Sequence, residues 1–435
     1  MARLDLTDYR NTTTGEGVDL DTLIRTVLLA AVFLVLWISF RPFVNLGEPP
    51  DLAEAGQGNL VNQVGYLVLF LTLACWSLAH QPARLLELVR PILVASLFWI
   101  LMSVLHSWEP ALAGRRFILT LIAIAIAGMA MLLPKNVRHF ADVMAAVVLV
   151  VLVLCYLGVL LAPSLSIHQS TDVVEPELAG DWRGLFAHKN DASAVMALFV
   201  FMGLFVGRVR SATLGGAIAV LALVFLIFTH SKTSIAMLPV VMIVSAIMTR
   251  VRSRVFGIAV ALSGIVLFNL ISLGSLYFEP LRNFLDLVLA DATFTGRTDV
   301  WQFVLDHIKE RPILGYGFWT FWGSPEVVYG MGGYAVWANT AGHAHNGFLD
   351  IALTIGIPGA ILVVLWLVVY PLADFYKAPR DPYAGPLAML FLRVCLFMAY
   401  ESCFEAMLLK EGGASLFLFA ATFGLRFLSV SRVAR

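Results

Sequence analysis

Long apolar runs separated by short polar segments recur along the whole chain. A helix needs about 20 mostly apolar residues to cross a bilayer, whereas a barrel strand is about half as long and alternates in polarity. The runs have helical length and do not alternate; 211–231 and 255–278, for example, carry no Asp, Glu, Lys or Arg. The pattern predicts an all-α polytopic membrane protein with about twelve transmembrane helices, at 23–40, 61–79, 88–106, 116–133, 140–162, 191–207, 213–230, 232–249, 255–276, 348–373, 386–404 and 412–428.

Composition supports a membrane protein over the full length. The 435 residues are 60% hydrophobic and 13% charged, about half the charged fraction of a soluble domain. We therefore treat 1–435 as a single membrane domain. The net charge of +0 gives no basic field for nucleic acid. The four cysteines lie in or beside apolar runs without zinc spacing, which favours apolar packing. Run 26–40 follows an acidic leader and precedes no cleavage signal, so we expect a retained span.

Positive charge predicts the orientation of the helices. With the N-terminus inside, the segments on the cytoplasmic side hold seventeen Lys and Arg residues and the outer segments eleven, although the outer segments are longer. The positive-inside rule then places both termini in the cytoplasm. Two outer loops are long, 163–190 and 277–346. Within the second, 299–310 predicts a short amphipathic helix that ends before Pro312.

Polar residues concentrate at the outer ends of the predicted helices. Four segments carry them: 181–190, 229–234, 296–301 and 342–347. Arginine matches phosphate oxygens in bidentate geometry, and helix N-termini add positive dipole ends. Histidine titrates near neutrality and can accept a proton from a hydroxyl. The segments together predict an anion-binding site with proton transfer, suited to displacement of a phosphate leaving group by an alcohol.

Each candidate also has a plain structural interpretation. Arg183 and Lys189 are equally expected as interfacial side chains that reach toward water, and Arg297 as a neighbour of Asp299. A His-x-His pair at 343 and 345 is able to ligate metal, but no carboxylate or third histidine lies close in sequence. Intramembrane charges are functional candidates by default; the eleventh predicted span carries three within it or at its end, Arg393, Glu401 and Glu405.

The order of these motifs resembles a known family. They are Arg-Gly-Leu-Phe-Ala-His-Lys-Asn (183–190), His-Ser-Lys-Thr-Ser (230–234), Gly-Arg-Thr-Asp-Val-Trp (296–301), Pro-Ile-Leu-Gly-Tyr-Gly-Phe-Trp-Thr-Phe (312–321), His-Asn-Gly-Phe-Leu (345–349) and Gly-Ile-Pro-Gly (356–359). The set resembles the O-antigen ligase and polysaccharide polymerase family. Within this family, the sequence His-Lys-Asn at 188–190 is more similar to the exopolysaccharide polymerases of succinoglycan type.

The resemblance implies a GT-C-like membrane glycosyltransferase in the bacterial inner membrane, with its site facing the periplasm. Its donor would be a glycan on undecaprenyl pyrophosphate, transferred without cofactor or metal and with inversion. His345 would be the general base, and Arg183, Lys232 and Arg297 would bind the donor pyrophosphate. Lys232 stands where the family usually has arginine, so the bidentate fork is lost there. Further candidates around the site are His188, Lys189, Asn190, Asn346, Arg116, Glu401 and Glu405.

The resemblance and the residues leave three functions open. The first is a polymerase that joins lipid-linked glycan repeat units, for which a chain-length regulator would be a further partner. The second is a ligase that transfers glycan to the lipid A core. The third belongs to another class, a flippase for lipid-linked oligosaccharides, and Arg393 inside a span favours it. Transporters place their sites near the midplane and often show inverted repeats, whereas the polar residues here lie at one face.

Overall fold

The protein is an assembly of long apolar helices, as the sequence predicts. The computed structural model describes residues 19–38, 42–48, 60–173, 175–288, 297–324, 327, 341–410 and 413–430. The principal helices are α1 Leu20–Ile38, α2 Leu60–His80, α3 Pro82–Leu88, α4 Pro91–Leu105, α5 Pro110–Ala130, α6 Val137–Leu161, α7 Lys189–Val209, α8 Ala212–Phe228, α9 Lys232–Arg250, α10 Arg254–Gly274, α11 Glu279–Val288, α12 Arg297–Glu310, α13 Gly347–Phe375, α14 Ala384–Glu401 and α15 Gly413–Val430.

A helix lies at each of the twelve predicted spans. Within the described residues, ten helices are long and apolar enough to cross a bilayer, and α3 with α4 forms an eleventh candidate that is bent by 68°. Pro91 stands at that break as the first residue of α4. Helix α8 is apolar but has 17 residues, about 26 Å at 1.5 Å per residue. The all-α polytopic architecture is confirmed, and the count of twelve and the GT-C-like fold stay predictions.

The centre of the bundle is α7, whose apolar side chains are buried along nearly its whole length. It packs against α6, α8 and α14. The contact with α8 is close because it is made by glycines: a Cβ on Gly215 would lie 2.2 Å from the Gly207 nitrogen and 2.3 Å from the Gly203 oxygen. Small residues allow such close helix approach in membranes, where dispersion replaces the hydrophobic driving force.

The long connection between α10 and α13 contains a packed unit. Helix α12 confirms the amphipathic helix predicted at 299–310, and its Trp301 and Phe303 pack with Tyr316 and Phe321 in a second apolar cluster. This cluster holds α12 against α13. The N-terminus of α12, which carries Arg297, is therefore fixed relative to the start of α13.

The Gly-Ile-Pro-Gly motif explains how the loop after α12 attaches to α13. Gly356 has φ of 75° and interrupts the helix, and a Cβ there would lie 1.9 Å from the Ile313 oxygen. The interruption leaves carbonyls of α13 open to the loop. The amides of Tyr316 and Gly317 donate to the carbonyls of Leu353 and Thr354, both at 3.0 Å. Only glycine accommodates both the dihedral angle and the close approach at position 356.

Candidate functional site

The loop before α13 is held at the peptide groups on either side of Ala344. The Ala344 amide donates to Asp350 Oδ1 at 3.0 Å, and Trp301 Nε1 donates to the Ala344 carbonyl at 3.0 Å. His345 has φ of 48°, a left-handed conformation that is uncommon outside glycine and that marks functional positions when the surroundings hold it. Its amide donates to His343 Nδ1 at 3.2 Å, and the two imidazole centroids lie 4.1 Å apart.

Asn346 fixes the start of α13. Its Oδ1 accepts from the amides of Phe348 and Leu349 at 3.0 and 3.1 Å, the arrangement of a helix N-cap. Its Nδ2 donates to Asn269 Oδ1 at 2.9 Å and to the Cys403 carbonyl at 3.1 Å. The buried asparagine thus ties the histidine loop to the segment that follows α14. Asn346 is brought beside His345 as a positioning group.

Glu405 is the centre of the site. Its Oε1 accepts from Arg297 Nη2 at 2.6 Å and from Asn190 Nδ2 at 2.9 Å, and its Oε2 lies 3.3 Å from His345 Nδ1. Arg297 also donates to the Phe404 carbonyl. Glu405, Arg297, Asn190 and His345, which we call the Glu405 cluster, come from the segment after α14, the starts of α12 and α7, and the loop before α13. Four predicted residues that are far apart in sequence therefore meet at one point.

The electrostatics of the cluster keep Glu405 ionised. Burial by itself raises the pKa of the Glu405 carboxyl, but the charge of Arg297 and the contact with His345 outweigh burial and hold that pKa below its usual range. A carboxylate at Oε2 favours a proton on His345 Nδ1, which leaves His345 Nε2 with its lone pair. This arrangement equips His345 to accept a proton from a hydroxyl.

Three side chains of the site have metal-ligating chemistry. The ligand atoms of His343, His345 and Glu405 lie within 4.8 Å of one another, so the fold supplies the carboxylate that is missing near the histidines in sequence. Arg297 already occupies Glu405, and its positive charge repels a cation. His343 Nδ1 accepts from a backbone amide, which places the proton of the neutral ring on Nε2. A metal here would have to displace the His343 contact and would be repelled by the charge of Arg297.

Arg183 is buried, and its guanidinium donates to backbone carbonyls. Its Nη1 donates to the Phe186 carbonyl at 3.1 Å and its Nη2 to the Val44 carbonyl at 2.7 Å. Among the described residues, Nε of Arg183 has no hydrogen-bond partner. These contacts join the loop before α7 to the segment after α1, and the structure does not bring Arg183 into the Glu405 cluster.

The other basic side chains of segments 181–190 and 229–234 lie around the start of α7. Lys189 Nζ pairs with Asp181 Oδ2 at 2.5 Å, and His230 Nδ1 approaches Asp181 Oδ1 at 2.6 Å. His188 Nε2 lies 2.9 Å from Glu175 Oε2. Lys232 is exposed as the first residue of α9 and has no side-chain partner among the residues that the structure describes.

Two further candidates lie outside the Glu405 cluster. Arg116 donates to the Trp319 carbonyl, in the loop that follows α12. Glu401 is fully buried, and its Oε1 accepts from Ser234 Oγ at 2.6 Å. Ser234 Oγ is 2.8 Å from Ser193 Oγ, so Glu401 connects the first turns of α9 and α7 below the site.

Comparison with known proteins gives a family match for the middle of the chain. Residues 217–364 match the family model described as O-antigen ligase. We call this matched stretch the O-antigen ligase segment. A further match is the exopolysaccharide production protein ExoQ of Rhizobium meliloti, which is 31% identical over 121 residues. That alignment covers 25% of this chain and 28% of ExoQ. The resemblance to the O-antigen ligase and polysaccharide polymerase family is thereby confirmed.

The O-antigen ligase segment contains only part of the site. His345, Arg297 and Lys232 lie within 217–364, whereas Glu405 and Asn190 lie outside it. The Glu405 cluster is therefore completed by flanking helices.

Sequence reasoning missed two carboxylates of the site. Asp350 clamps Ala344 and also accepts from Trp322 Nε1 at 2.8 Å. It is a charge within a predicted span, and that signal was sufficient to single it out. Glu175 lies in an irregular loop, where no periodicity or spacing marks it.

Proposed function

We propose that the protein is a membrane glycosyltransferase that polymerises or transfers glycan repeat units from an undecaprenyl-pyrophosphate donor. The site would face the periplasm, with both termini in the cytoplasm of a bacterium. The observation that carries the proposal is the Glu405 cluster, in which one buried carboxylate holds both a histidine and an arginine. The O-antigen ligase segment and the partial likeness to an exopolysaccharide production protein support a glycan-processing reaction.

In the proposed reaction, His345 is the base. Glu405 holds Nδ1 of His345, and Nε2 takes the proton from the acceptor hydroxyl as its oxygen attacks the anomeric carbon. The bond from that carbon to the pyrophosphate oxygen breaks on the opposite face, so the product is inverted. The bonding electrons leave with the pyrophosphate, which keeps them as additional negative charge.

Positive charge would stabilise the leaving pyrophosphate without a metal. Arg297 uses Nη2 on Glu405 and Nη1 on Phe404, so the pyrophosphate would share or replace these contacts. Lys232, exposed at the start of α9, adds a second cation. Removing one such group costs about 10²–10³ in rate in oxyanion-type sites. The role of Arg183 in donor binding stays a prediction, because its guanidinium now binds two backbone carbonyls.

The experiment is an in vitro transfer assay on the purified full-length protein with a chelator present. Lipid-linked repeat units would be extracted from cells of the source strain that lack this protein, and elongation would be followed by gel and mass spectrometry. We expect elongation by the wild type and none by His345→Ala. The matched control is His80→Ala, at the end of α2, where the exposed imidazole contacts the Trp76 carbonyl and ring of its own helix.

The other outcomes separate the rival functions. Transfer to added lipid A core in place of elongation would make the protein a ligase. Glycan crossing a vesicle membrane without any transfer would make it a flippase, the function that Arg393 favours; in the structure, Arg393 Nε donates to Ser245 Oγ at 3.3 Å between two spans. Elongation that requires the chelator to be absent would refute metal independence.

A further inference from the structure

The described parts of the loop between α6 and α7, 162–173 and 175–188, carry polar side chains beside the Glu405 cluster. Ile167 and Trp182 form an antiparallel bridge across it. The His168 amide donates to the Asp181 carbonyl, and the Gly180 amide donates to the His168 carbonyl, both at 2.9 Å. The loop therefore presents its side chains in fixed positions, and none of its carboxylates belongs to the reaction described above.

Glu175 and His188 form a pair whose protonation is set by the backbone. The Asn190 amide donates to His188 Nδ1 at 3.1 Å, so the proton of the neutral imidazole lies on Nε2. His188 Nε2 then donates to Glu175 Oε2 at 2.9 Å. This hydrogen bond, against the opposing effect of burial, holds the pKa of Glu175 below its usual range. Glu175 is thus a carboxylate that can accept further hydrogen bonds beside the one from His188.

A second hydrogen-bond acceptor lies behind this pair. The His168 ring faces the His188 ring, with centroids 5.4 Å apart, and its Nδ1 is 3.1 Å from Asp172 Oδ2. Burial lowers the pKa of His168, so the ring is neutral and donates to Asp172 from Nδ1. Its Nε2 is then an acceptor, and within the described part of the chain it is buried without a hydrogen-bond partner. A buried polar atom without a partner is costly unless a ligand or water completes it.

The pair is partly exposed, as is the proposed base, and a chain of hydrogen bonds joins them. The side chains of Glu175, His188 and His345 are 43%, 29% and 31% exposed. Asn190, whose backbone amide donates to His188 Nδ1, also donates through Nδ2 to Glu405 Oε1, and Glu405 contacts His345. Protonation of His345 would further lower the pKa of Glu175, so the two groups are within electrostatic range. A ligand at His345 that extends along this chain of hydrogen bonds would meet Glu175.

We infer that Glu175, held by His188 and backed by His168, is the subsite for the acceptor glycan. The inference rests on the proposed function and adds the place of the second substrate. Carboxylate oxygens are acceptors only, so those of Glu175 match sugar hydroxyls, which donate. An ionised pyrophosphate has acceptors only and is repelled by Glu175. The charges thus sort the substrates, with the donor phosphates at Arg297 and the acceptor hydroxyls at Glu175.

The first test separates the KM values of the two substrates. Glu175→Gln removes the charge and keeps the shape, and Glu177→Gln, in the same loop but exposed, is the matched control. A hydrogen bond to a charged group contributes about 1.5–3 kcal/mol, so we expect the acceptor KM to rise at least about tenfold. The donor KM and the rate at saturating acceptor should stay within a factor of two. Equal changes in both KM values, no change, or the same effect from Glu177→Gln would overturn the inference.

The second test does not depend on turnover. The free oligosaccharide repeat unit, released from its lipid and phosphates, would be titrated into the full-length protein with and without a chelator, using saturation-transfer NMR. We expect the oligosaccharide to bind the wild type and Glu177→Gln. For Glu175→Gln, the oligosaccharide concentration at half-maximal signal should be at least about tenfold higher. Binding without any transfer would refute the proposed function but keep the sugar subsite. Transfer without binding at Glu175, or binding that the chelator abolishes, would refute the subsite and favour a cation there.

Discussion

Replacing Glu405 by glutamine tests the centre of the site. The change keeps the size of the side chain but removes the charge that Arg297 and Asn190 donate to, at 2.6 and 2.9 Å. The new amide can donate to His345 Nδ1, which moves the ring proton to Nε2 and removes the base. Because the side chain of Glu405 is only 6% exposed, Arg297 would also lose its counter-charge in a nearly dry environment.

Two magnitudes follow for Glu405→Gln. Breaking a buried ion pair costs about 3–5 kcal/mol of unfolding free energy, and the remaining amide oxygen and partial exposure of Arg297 reduce this to about 2–3 kcal/mol. The corresponding carboxylate-to-amide change beside a catalytic histidine lowers kcat by about 10⁴ in serine proteases. We expect about 10²- to 10⁴-fold here, or about 3–5 kcal/mol of transition-state stabilisation.

The assay is kcat for glycan transfer, with unfolding followed in the same detergent. Asp374→Asn is the matched control, because Asp374 and Arg90 form an ion pair of 2.7 Å with side chains 2% and 11% exposed at the other end of α13. We expect similar destabilisation and an unchanged kcat for this control. A folded Glu405→Gln protein with wild-type kcat would refute the assignment, and an equal loss in Asp374→Asn would show that the effect reports stability alone.

Three further predictions concern groups around the cluster. Burial lowers the pKa of His343 to about 2; since the unfolded chain takes up this proton near pH 6.5, stability should fall as pH drops below 6.5, by up to about 1.4 kcal/mol per pH unit. His343→Asn should flatten that slope in unfolding measured at pH 7 and 5.5, and an unchanged slope would contradict it. Asp350→Asn weakens the bonds from Ala344 and Trp322, and should lower kcat about tenfold and stability by about 1.5–3 kcal/mol; an unchanged kcat would mean that the clamp does not position the loop. Arg183→Lys should cost about 1–3 kcal/mol of stability with an unchanged donor KM if its carbonyl contacts are its role, and a raised donor KM would instead place it at the pyrophosphate.

The all-α membrane architecture follows from the hydropathy of the chain. Bilayer thickness requires long apolar helices, so span positions can be taken from hydropathy alone, and all twelve predicted runs contain a helix. The amphipathic pattern at 299–310 likewise predicted α12, because apolar residues at helical spacing form one face that packs against a core. Sequence reasoning could also identify His345, Arg297 and Asn190, because each lies in a short motif.

How these residues are used depends on packing between distant segments. Glu405 and Asn190 are 215 residues apart, and their contact depends on the packing of α7 against α14, which hydropathy does not encode. The fold also directs Arg183 to the carbonyls of Phe186 and Val44 and leaves Lys232 exposed, although both carry a positive charge beside a predicted span. Local sequence specifies helices through hydrogen bonds within each segment, whereas a site between segments is specified by side-chain packing over long separations. The pairing of His345 with Glu405 therefore emerges only in the folded chain.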